Sequence, residues 1–565
     1  MAIHRSKHIY NRRKRPTGIT VVVPIMRSWQ PISLLVLLAL MLLCWPAMAE
    51  EQKNSPQACE KLAGHDFSQV MDAPTEITQA TLVLDNMGRQ RPFCHVAGHV
   101  EPNVGFELML PVSGWNGKFL HIGCAGWCGS TAFVIPGCFR YGNYACVGTD
   151  MGHTGKGGLW FRGNLQGQID FSYRATHVVT VAGKAIAESF YGTPANRSYF
   201  AGCSTGGYQA MVEAQRYPYD FDGIVAGAPD MDESDLAVRG LWLKRNFFAA
   251  DGKPVLSASD LLLLHNAVLS ACDMDDGVKD GLVGDPVHCG FDPAQLQCKT
   301  GNRDSCLTPN QVQAIKNIYG AARTSKGPIL SSKGMLPGSE LSWAKSFQDT
   351  WGDSYFKDTG ILSATGKVWS AADFDFDRDF PRSGTGVLFP DTNPDLRKFK
   401  AAGGKLLSYQ GDNDTLEIPG AIFDYYETVE RTMGGRAATQ DFYRLFTVPG
   451  MGHCTGGDGA YTIDYLSYLE AWVEQGKAPD KMIGVQVDPA YLSSLLLKLP
   501  KEQQNAIPAE AKVRAGAQYL RFPLDSSVPV KFSRPVYPYP FFAKYSGHGS
   551  STDAANFRQA GGPGK

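Results

Sequence analysis

Tyr199-Phe200-Ala201-Gly202-Cys203-Ser204-Thr205-Gly206-Gly207 is the stretch on which the fold turns. An apolar strand over Ser198–Ala201 runs into Gly-x-Ser-x-Gly, and a helix follows over Gly206–Arg216. Gly-x-Ser-x-Gly alone is a weak pattern, because small residues are common. Between a strand and a helix it is a nucleophile elbow. The glycines let the chain turn sharply, so the Ser204 hydroxyl stands above the carboxyl edge of a sheet. The helix N-terminus adds positive potential and free amide donors at that point.

Outward from the elbow the pattern continues. Phe106–Leu110, Lys118–Ile122 and Tyr144–Gly148 read as strands, and Thr176–Phe190 carries apolar residues at helical spacing. Gly223–Ala226 is the strand after the elbow helix. Strand, helix and strand at these lengths predict βαβ units and a mostly parallel sheet. Residues 231–391 are loop-rich, with helices near Ala258–Ala271 and Pro309–Tyr319 and an acidic run at Asp373–Asp379. The sheet pattern then resumes with a strand at Lys405–Tyr409, a helix at Ala421–Met433, a strand at Tyr443–Val448 and a helix at Tyr465–Gln475. An α/β core interrupted by one insertion is the simplest organisation.

A serine hydroxyl needs a base, and the base needs an orienting carboxylate. On a nucleophile-elbow fold these follow in the order serine, acid, histidine, after later strands. Gly411-Asp412-Asn413-Asp414 and Gly450-Met451-Gly452-His453 stand just past such strands. Spacing does not separate Asp412 from Asp414. His453 is preferred to His548, which lies in a Gly/Ser-rich tail with no strand before it. Cys203 precedes the candidate nucleophile and Cys454 follows the candidate base, so a disulfide between them is expected if serine and histidine meet. A tetrahedral intermediate needs two amide donors. The Thr205 amide is one, and the glycine-rich loop Ile122–Trp127 is placed to supply the other.

The chain of 565 residues has 43% hydrophobic and 19% charged residues, which excludes a disordered chain, a collagen and a coiled coil. Its net charge of −1 hides an asymmetry. Residues 1–49 carry seven basic and no acidic side chains, leaving 47 basic against 55 acidic residues beyond. A body of that sign has no electrostatic case for nucleic acid or an anionic membrane. Ile32–Trp45 is an apolar run of 14 residues, below the roughly 20 that span a bilayer. With Pro46-Ala47-Met48-Ala49 after it, the segment 1–49 reads as a signal peptide, and Met26-Arg27 marks an alternative start. Twelve cysteines remain after Cys44, which for an exported chain means up to six disulfides. Cys124, Cys128, Cys138 and Cys146 are better read as two local disulfides than as a zinc site, with their pairing open.

Cys272–Leu282 packs four carboxylates into a tight turn. Such charges repel unless neutralised, and oxygen ligands on a flexible loop suit Ca²⁺ as readily as the run suits a solvated turn. The twelfth position from Asp273 is Gly284, so it is not an EF-hand. A Cys272–Cys289 bridge would close the loop.

On these elements, together with Gly114-Trp115-Asn116-Gly117, Asp222–Pro229 and Val448–Gly456, the chain resembles the tannase and feruloyl esterase family of secreted serine hydrolases. That family also includes the mono(2-hydroxyethyl) terephthalate hydrolase. The resemblance covers nearly the whole chain beyond the leader, and the adjacent Cys-Ser and His-Cys elements are its distinguishing mark. It implies an α/β-hydrolase core over residues 50–230 and 392–565, with a lid over 231–391. It implies Ser204 as nucleophile, Asp414 as acid and His453 as base, with Gly126 and Thr205 forming the oxyanion hole. It implies the Cys203–Cys454 bridge, and disulfides Cys59–Cys94 and Cys298–Cys306. A lid Ca²⁺ would be held by Asp273, Asp276 and Asp280 side chains with the Val278 and Leu282 carbonyls, and no organic cofactor is implied.

Two departures stand out. Tyr537 and Gln559 occupy the positions of the terephthalate-ester hydrolase's C-terminal disulfide. Residues 324–377 hold no arginine, although that enzyme clamps its substrate's free carboxylate there. The expected activity is hydrolysis of small-molecule hydroxycinnamoyl or galloyl esters by a secreted or periplasmic enzyme. Terephthalate half-ester hydrolysis and a non-catalytic binding protein of hydrolase fold are the alternatives.

Overall fold

The computed structural model describes residues 55–562, apart from 86–89, 132–133, 300–304, 329, 331–332, 363–368, 384–391 and 500. The leader, the Ile32–Trp45 run and the 46–49 cleavage pattern lie outside the described residues. Lys53–Lys565 forms one compact unit.

Among the described residues nine strands form the central sheet: β1 (Thr75–Leu84), β2 (Pro92–Val100), β3 (Val104–Pro111), β4 (Lys118–Ile122), β5 (Ala145–Thr149), β6 (Arg197–Ser204), β7 (Gly223–Pro229), β8 (Lys405–Gly411) and β9 (Tyr443–Val448). Their order is β1-β2-β3-β5-β4-β6-β7-β8-β9. β1, β2, β3 and β5 pair antiparallel in turn, and from β5 through β4 to β9 every pairing is parallel. This is the α/β-hydrolase arrangement, with its serine-bearing strand β6 near the middle.

The parallel strands are near-continuous apolar runs because both faces are covered. Successive residues alternate between two cores. Phe119, Phe200, Ile224, Leu406 and Leu445 enter one, whereas Leu120, Tyr199, Val225, Leu407 and Phe446 enter the other. Helix α1 (Val134–Tyr141) covers the second face, while α2 (Ala175–Tyr191) and α3 (Thr205–Arg216) cover the first.

Among its described residues, the chain between β7 and β8 adds no strand to this sheet. Its described helices include α4 (Glu233–Phe247), α5 (Ala258–Cys272), α6 (Pro309–Tyr319) and α7 (Trp351–Thr359). Leu243, Phe247, Leu264, Ile315, Trp343 and Phe347 give it an apolar cluster of its own. Beyond β8, α8 (Pro419–Met433) returns to the first face through Ile422 and Tyr426. Helix α9 (Tyr465–Gln475) returns to the second through Leu469 and Trp472. The twelve cysteines beyond residue 49 pair as Cys59–Cys94, Cys124–Cys128, Cys138–Cys146, Cys203–Cys454, Cys272–Cys289 and Cys298–Cys306.

Three differences from the sequence reading have local causes. Strand β2 went unread because its histidines and glycine look loop-like, yet His95 Nε2 lies 3.0 Å from Glu107 Oε2 on β3. Helices α4 and α7 are further elements of a stretch that reads as loop-rich. The tail around His548 is also structured. His548 is exposed in the turn of a hairpin between Phe541–Tyr545 and Phe557–Gly561, so a strand does precede it.

Gly207 shows how tightly the elbow helix meets the sheet. A Cβ there would stand 2.3 Å from the Gly227 carbonyl oxygen and 2.7 Å from the Pro229 Cα, both backbone atoms of β7. Gly207→Ala is therefore expected to destabilise the protein by about 2 kcal/mol or more. A melting temperature equal to wild type would contradict this packing.

Candidate active site

Ser204 ends β6 with φ 63° and ψ −127°, a conformation few non-glycine residues adopt. The elbow imposes it. A Cβ at Gly202 would stand 2.4 Å from the Gly206 carbonyl oxygen, so only glycine permits the chain to fold back so closely. Helix α3 begins at the next residue and directs its N-terminal potential toward the serine.

The loop after β9 carries His453, and the loop after β8 carries Asp414. His453 Nδ1 lies 3.0 Å from Asp414 Oδ2. Asp414 is fully buried and held from three more directions. Its Oδ1 accepts the amides of Leu416 at 2.9 Å and Glu417 at 3.0 Å, and Gln410 Nε2 donates to Oδ2 at 3.2 Å. These donors lock the orientation of the carboxylate. Cys203 and Cys454 are bridged, with Cα atoms 5.9 Å apart, and the Cys454 Sγ lies 3.6 Å from His453 Nε2.

The two residues considered as oxyanion donors are tied together. Thr205 Oγ1 donates to the Gly126 carbonyl at 2.7 Å. The loop bearing Gly126 is closed by Cys124–Cys128, and the Cys124 amide donates to Gln209 Oε1 on α3 at 2.9 Å. Gly126, Ser204, Thr205 and His453 all line one cavity of about 950 Å³. Trp351, Tyr409, Tyr461, Tyr465 and Tyr519 supply aromatic surface to it.

Asp412, the other acid left open by spacing, is buried away from His453. Its Oδ1 has no hydrogen-bond partner among the described residues. Burial, with the Asp285 charge added, pushes its carboxyl up to about 8. Four further cavity residues escaped the sequence reading. Asp230 directly follows β7 and is pushed up to about 6, mainly by burial. Its position just past a strand end is a signal that could have found it. Trp351, Arg140 and Arg514 reach the cavity from segments distant in sequence, and no local pattern marks them.

The acidic loop is braced by Cys272–Cys289. Asp273 accepts the amides of Asp280 at 3.1 Å and Gly281 at 3.2 Å, and Asp276 accepts that of Val278 at 2.9 Å. Asp280 Oδ2 lies 2.6 Å from Arg534 Nη2. Burial raises Asp276 to about 7, with the Asp280 and Asp273 charges adding to it. Among the described residues no three acidic, histidine or cysteine side chains converge in a metal-holding cluster. The donor set is nonetheless all hard oxygen and short of positive charge, which fits a hard cation.

The sequence matches the tannase and feruloyl esterase family over residues 86–375 and 386–560. A probable feruloyl esterase B-2 of Aspergillus flavus is 30% identical over 77% of this chain and 88% of its own length. The mono(2-hydroxyethyl) terephthalate hydrolase of Piscinibacter sakaiensis is 30% identical over 83% and 85%. The crystal structure of feruloyl esterase B from Aspergillus oryzae superposes with a TM-score of 0.73 at 27% identity, covering 86% of this chain and 97% of that one. Tannin acyl hydrolase from Aspergillus niger, at 20% identity, shares the fold with a TM-score of 0.67 over 89% of this chain and 94% of its own. The chain belongs to the tannase and feruloyl esterase family and is a carboxylic ester hydrolase. No described helix is long and apolar enough to cross a membrane.

Asp412 yields a pH signature separable from catalysis. An unfolded aspartate titrates near 3.9, so between about pH 4 and the folded value of about 8 the native state holds a proton that the unfolded state has released. Stability therefore falls as pH rises through that window. Asp412→Asn is expected to remove this slope and to gain on the order of 1–3 kcal/mol over wild type near neutral pH. Melting curves with a constant gap between the two proteins from acid to neutral pH would contradict it.

Proposed function

We propose that the protein is a serine esterase cleaving small-molecule esters of aromatic acids, hydroxycinnamoyl or galloyl, through an acyl-enzyme. The observation that carries this is His453, paired with Asp414 and carried on the loop disulfide-bonded to the residue beside Ser204, on the wall of an aromatic-lined cavity. Ser204 Oγ attacks the ester carbonyl while His453 Nε2 takes its proton, and Asp414 keeps the ring in the right tautomer and steadies its positive charge. The Gly126 and Thr205 amides receive the oxyanion. His453 returns the proton to the departing alcohol. It then activates the water that releases the acid.

Segment 231–391 acts as a lid, contributing Trp351 to the cavity wall. Six disulfides support a secreted or periplasmic location. The terephthalate half-ester reading has one specific support, the relative of that name, and the arginine-free stretch 324–377 weighs against the same carboxylate clamp.

Methyl ferulate, methyl gallate, chlorogenate and a terephthalate half-ester, assayed with Ser204→Ala as control, test the reading. Wild type is expected to exceed the variant by roughly 10³-fold or more on at least one of them. A fluorophosphonate probe should add to Ser204 by mass spectrometry. No turnover above the control would sink the substrate class, and no adduct would favour a binding protein.

We further propose that Asp273, Asp276 and Asp280, with the carbonyls of Val278 and Leu282, hold a structural Ca²⁺. The ion would neutralise the cluster, and above all Asp276, whose carboxyl burial and the neighbouring Asp280 and Asp273 charges push up. Metal analysis should find calcium, and a chelator should lower the melting temperature by several degrees. An unchanged melt would remove the claim.

A further inference from the structure

Two arginines from outside the 231–391 segment line the same cavity as Ser204. Arg140 belongs to α1, the helix bridged to β5 by Cys138–Cys146. Its guanidinium lies 4.5 Å from the Phe522 ring centre and 5.8 Å from that of Tyr141. Its Nε is buried without a hydrogen-bond partner among the described residues. Arg514 lies on α10 (Lys512–Ala517), is exposed, and feels the Asp414 charge. Asp414 is already committed to His453 and three hydrogen-bond donors. Neither arginine forms a salt bridge with a described residue.

Among the described residues no acid on the cavity wall forms a salt bridge with either arginine, and Asp230 interacts instead with Glu233 and Arg239. Asp353 pairs with Lys244 at 2.9 Å, and Asp358 accepts the Gly158 amide at 3.2 Å. Both lie on α7, and Asp349 just before it is exposed. Arg140 instead acts on Tyr409, Tyr465 and Asp464, and Asp464 is engaged in capping α9 through Ser467. Two guanidiniums with no salt-bridge partner among the described residues, on the wall of the cavity that holds Ser204, are placed to receive an anion. A planar guanidinium pairs best with a carboxylate, through two parallel hydrogen bonds.

We infer that Arg140 and Arg514 are specificity-determining residues that recognise a second, free carboxylate on the ester substrate. The inference rests on the esterase reading above and narrows its substrate class to anionic aromatic esters. The carboxylate would belong either to the acyl part, as in a terephthalate half-ester, or to the alcohol part, as in chlorogenate.

Two matched pairs separate these sources: monomethyl against dimethyl terephthalate, and chlorogenate against its methyl ester. Wild type is expected to favour the anionic member of at least one pair by about tenfold in kcat/KM, less at high salt. Arg514→Gln and Arg140→Gln should each raise KM for that anionic ester at least several-fold more than for its neutral partner, with kcat less affected. Arg140→Lys, which keeps the charge but not the fork, should restore part of the preference. No preference in either pair, or equal losses on both members with an unchanged melting temperature, would overturn the inference.

Calorimetry of terephthalate and quinate binding to Ser204→Ala reads the contact without turnover. Binding that is lost on adding Arg514→Gln would uphold the anion site even if no ester were hydrolysed. Undetectable binding of both anions to Ser204→Ala would overturn it, even if methyl ferulate were turned over.

Discussion

The Cys203–Cys454 bridge joins two chain segments 251 residues apart at the point where chemistry is expected. In the chain-entropy picture, a loop of that length makes such a bridge worth about 5 kcal/mol to the folded state. Its consequence for the site is more specific. The elbow and the histidine loop arise from different strands, and each has freedom of its own. Bonding the residue before Ser204 to the residue after His453 removes their independent motion. The remaining partner, Asp414, is held by two backbone amides and Gln410, so the acid is positioned from its own loop.

A second constraint couples the inserted segment to the same centre. Trp127, next to Gly126 on the candidate oxyanion loop, has its ring centre 4.6 Å from that of Trp351 and 6.2 Å from that of Tyr355. Both partners lie on α7, and Trp160 meets Trp127 edge-on at 6.1 Å. Displacing α7 would uncover this apolar surface and loosen the packing behind Gly126. The disulfide Cys124–Cys128 braces the loop from its other side. The candidate oxyanion loop is thus supported both covalently and by packing across the insertion.

Much of the core was readable because its physics is local. β6, the elbow and α3 follow one another in sequence, and a turn that tight admits only glycine at Gly202 and Gly207. Strand β2 was less readable. Its polar residues are satisfied by a neighbour, His95 by Glu107 on β3, and nothing within the strand announces that partner. The loops holding Asp414 and His453 stood out because they follow strong strands. Choosing Asp414 over Asp412 from residues alone was impossible, since two positions along a loop differ only in what the folded chain sets beside them. Asp412 instead meets burial and the Asp285 charge.

The sequence by itself determined the sheet's parallel character, the serine at its elbow and an export-compatible cysteine count, because these depend on periodicity, composition and adjacent residues. Only the tertiary structure decided how Cys124, Cys128, Cys138 and Cys146 pair, and that Arg140, Trp351 and Arg514 share a cavity with Ser204. The reason is distance along the chain. Those residues come from α1, α7 and α10, and their meeting depends on how the layers close rather than on any pattern within one segment.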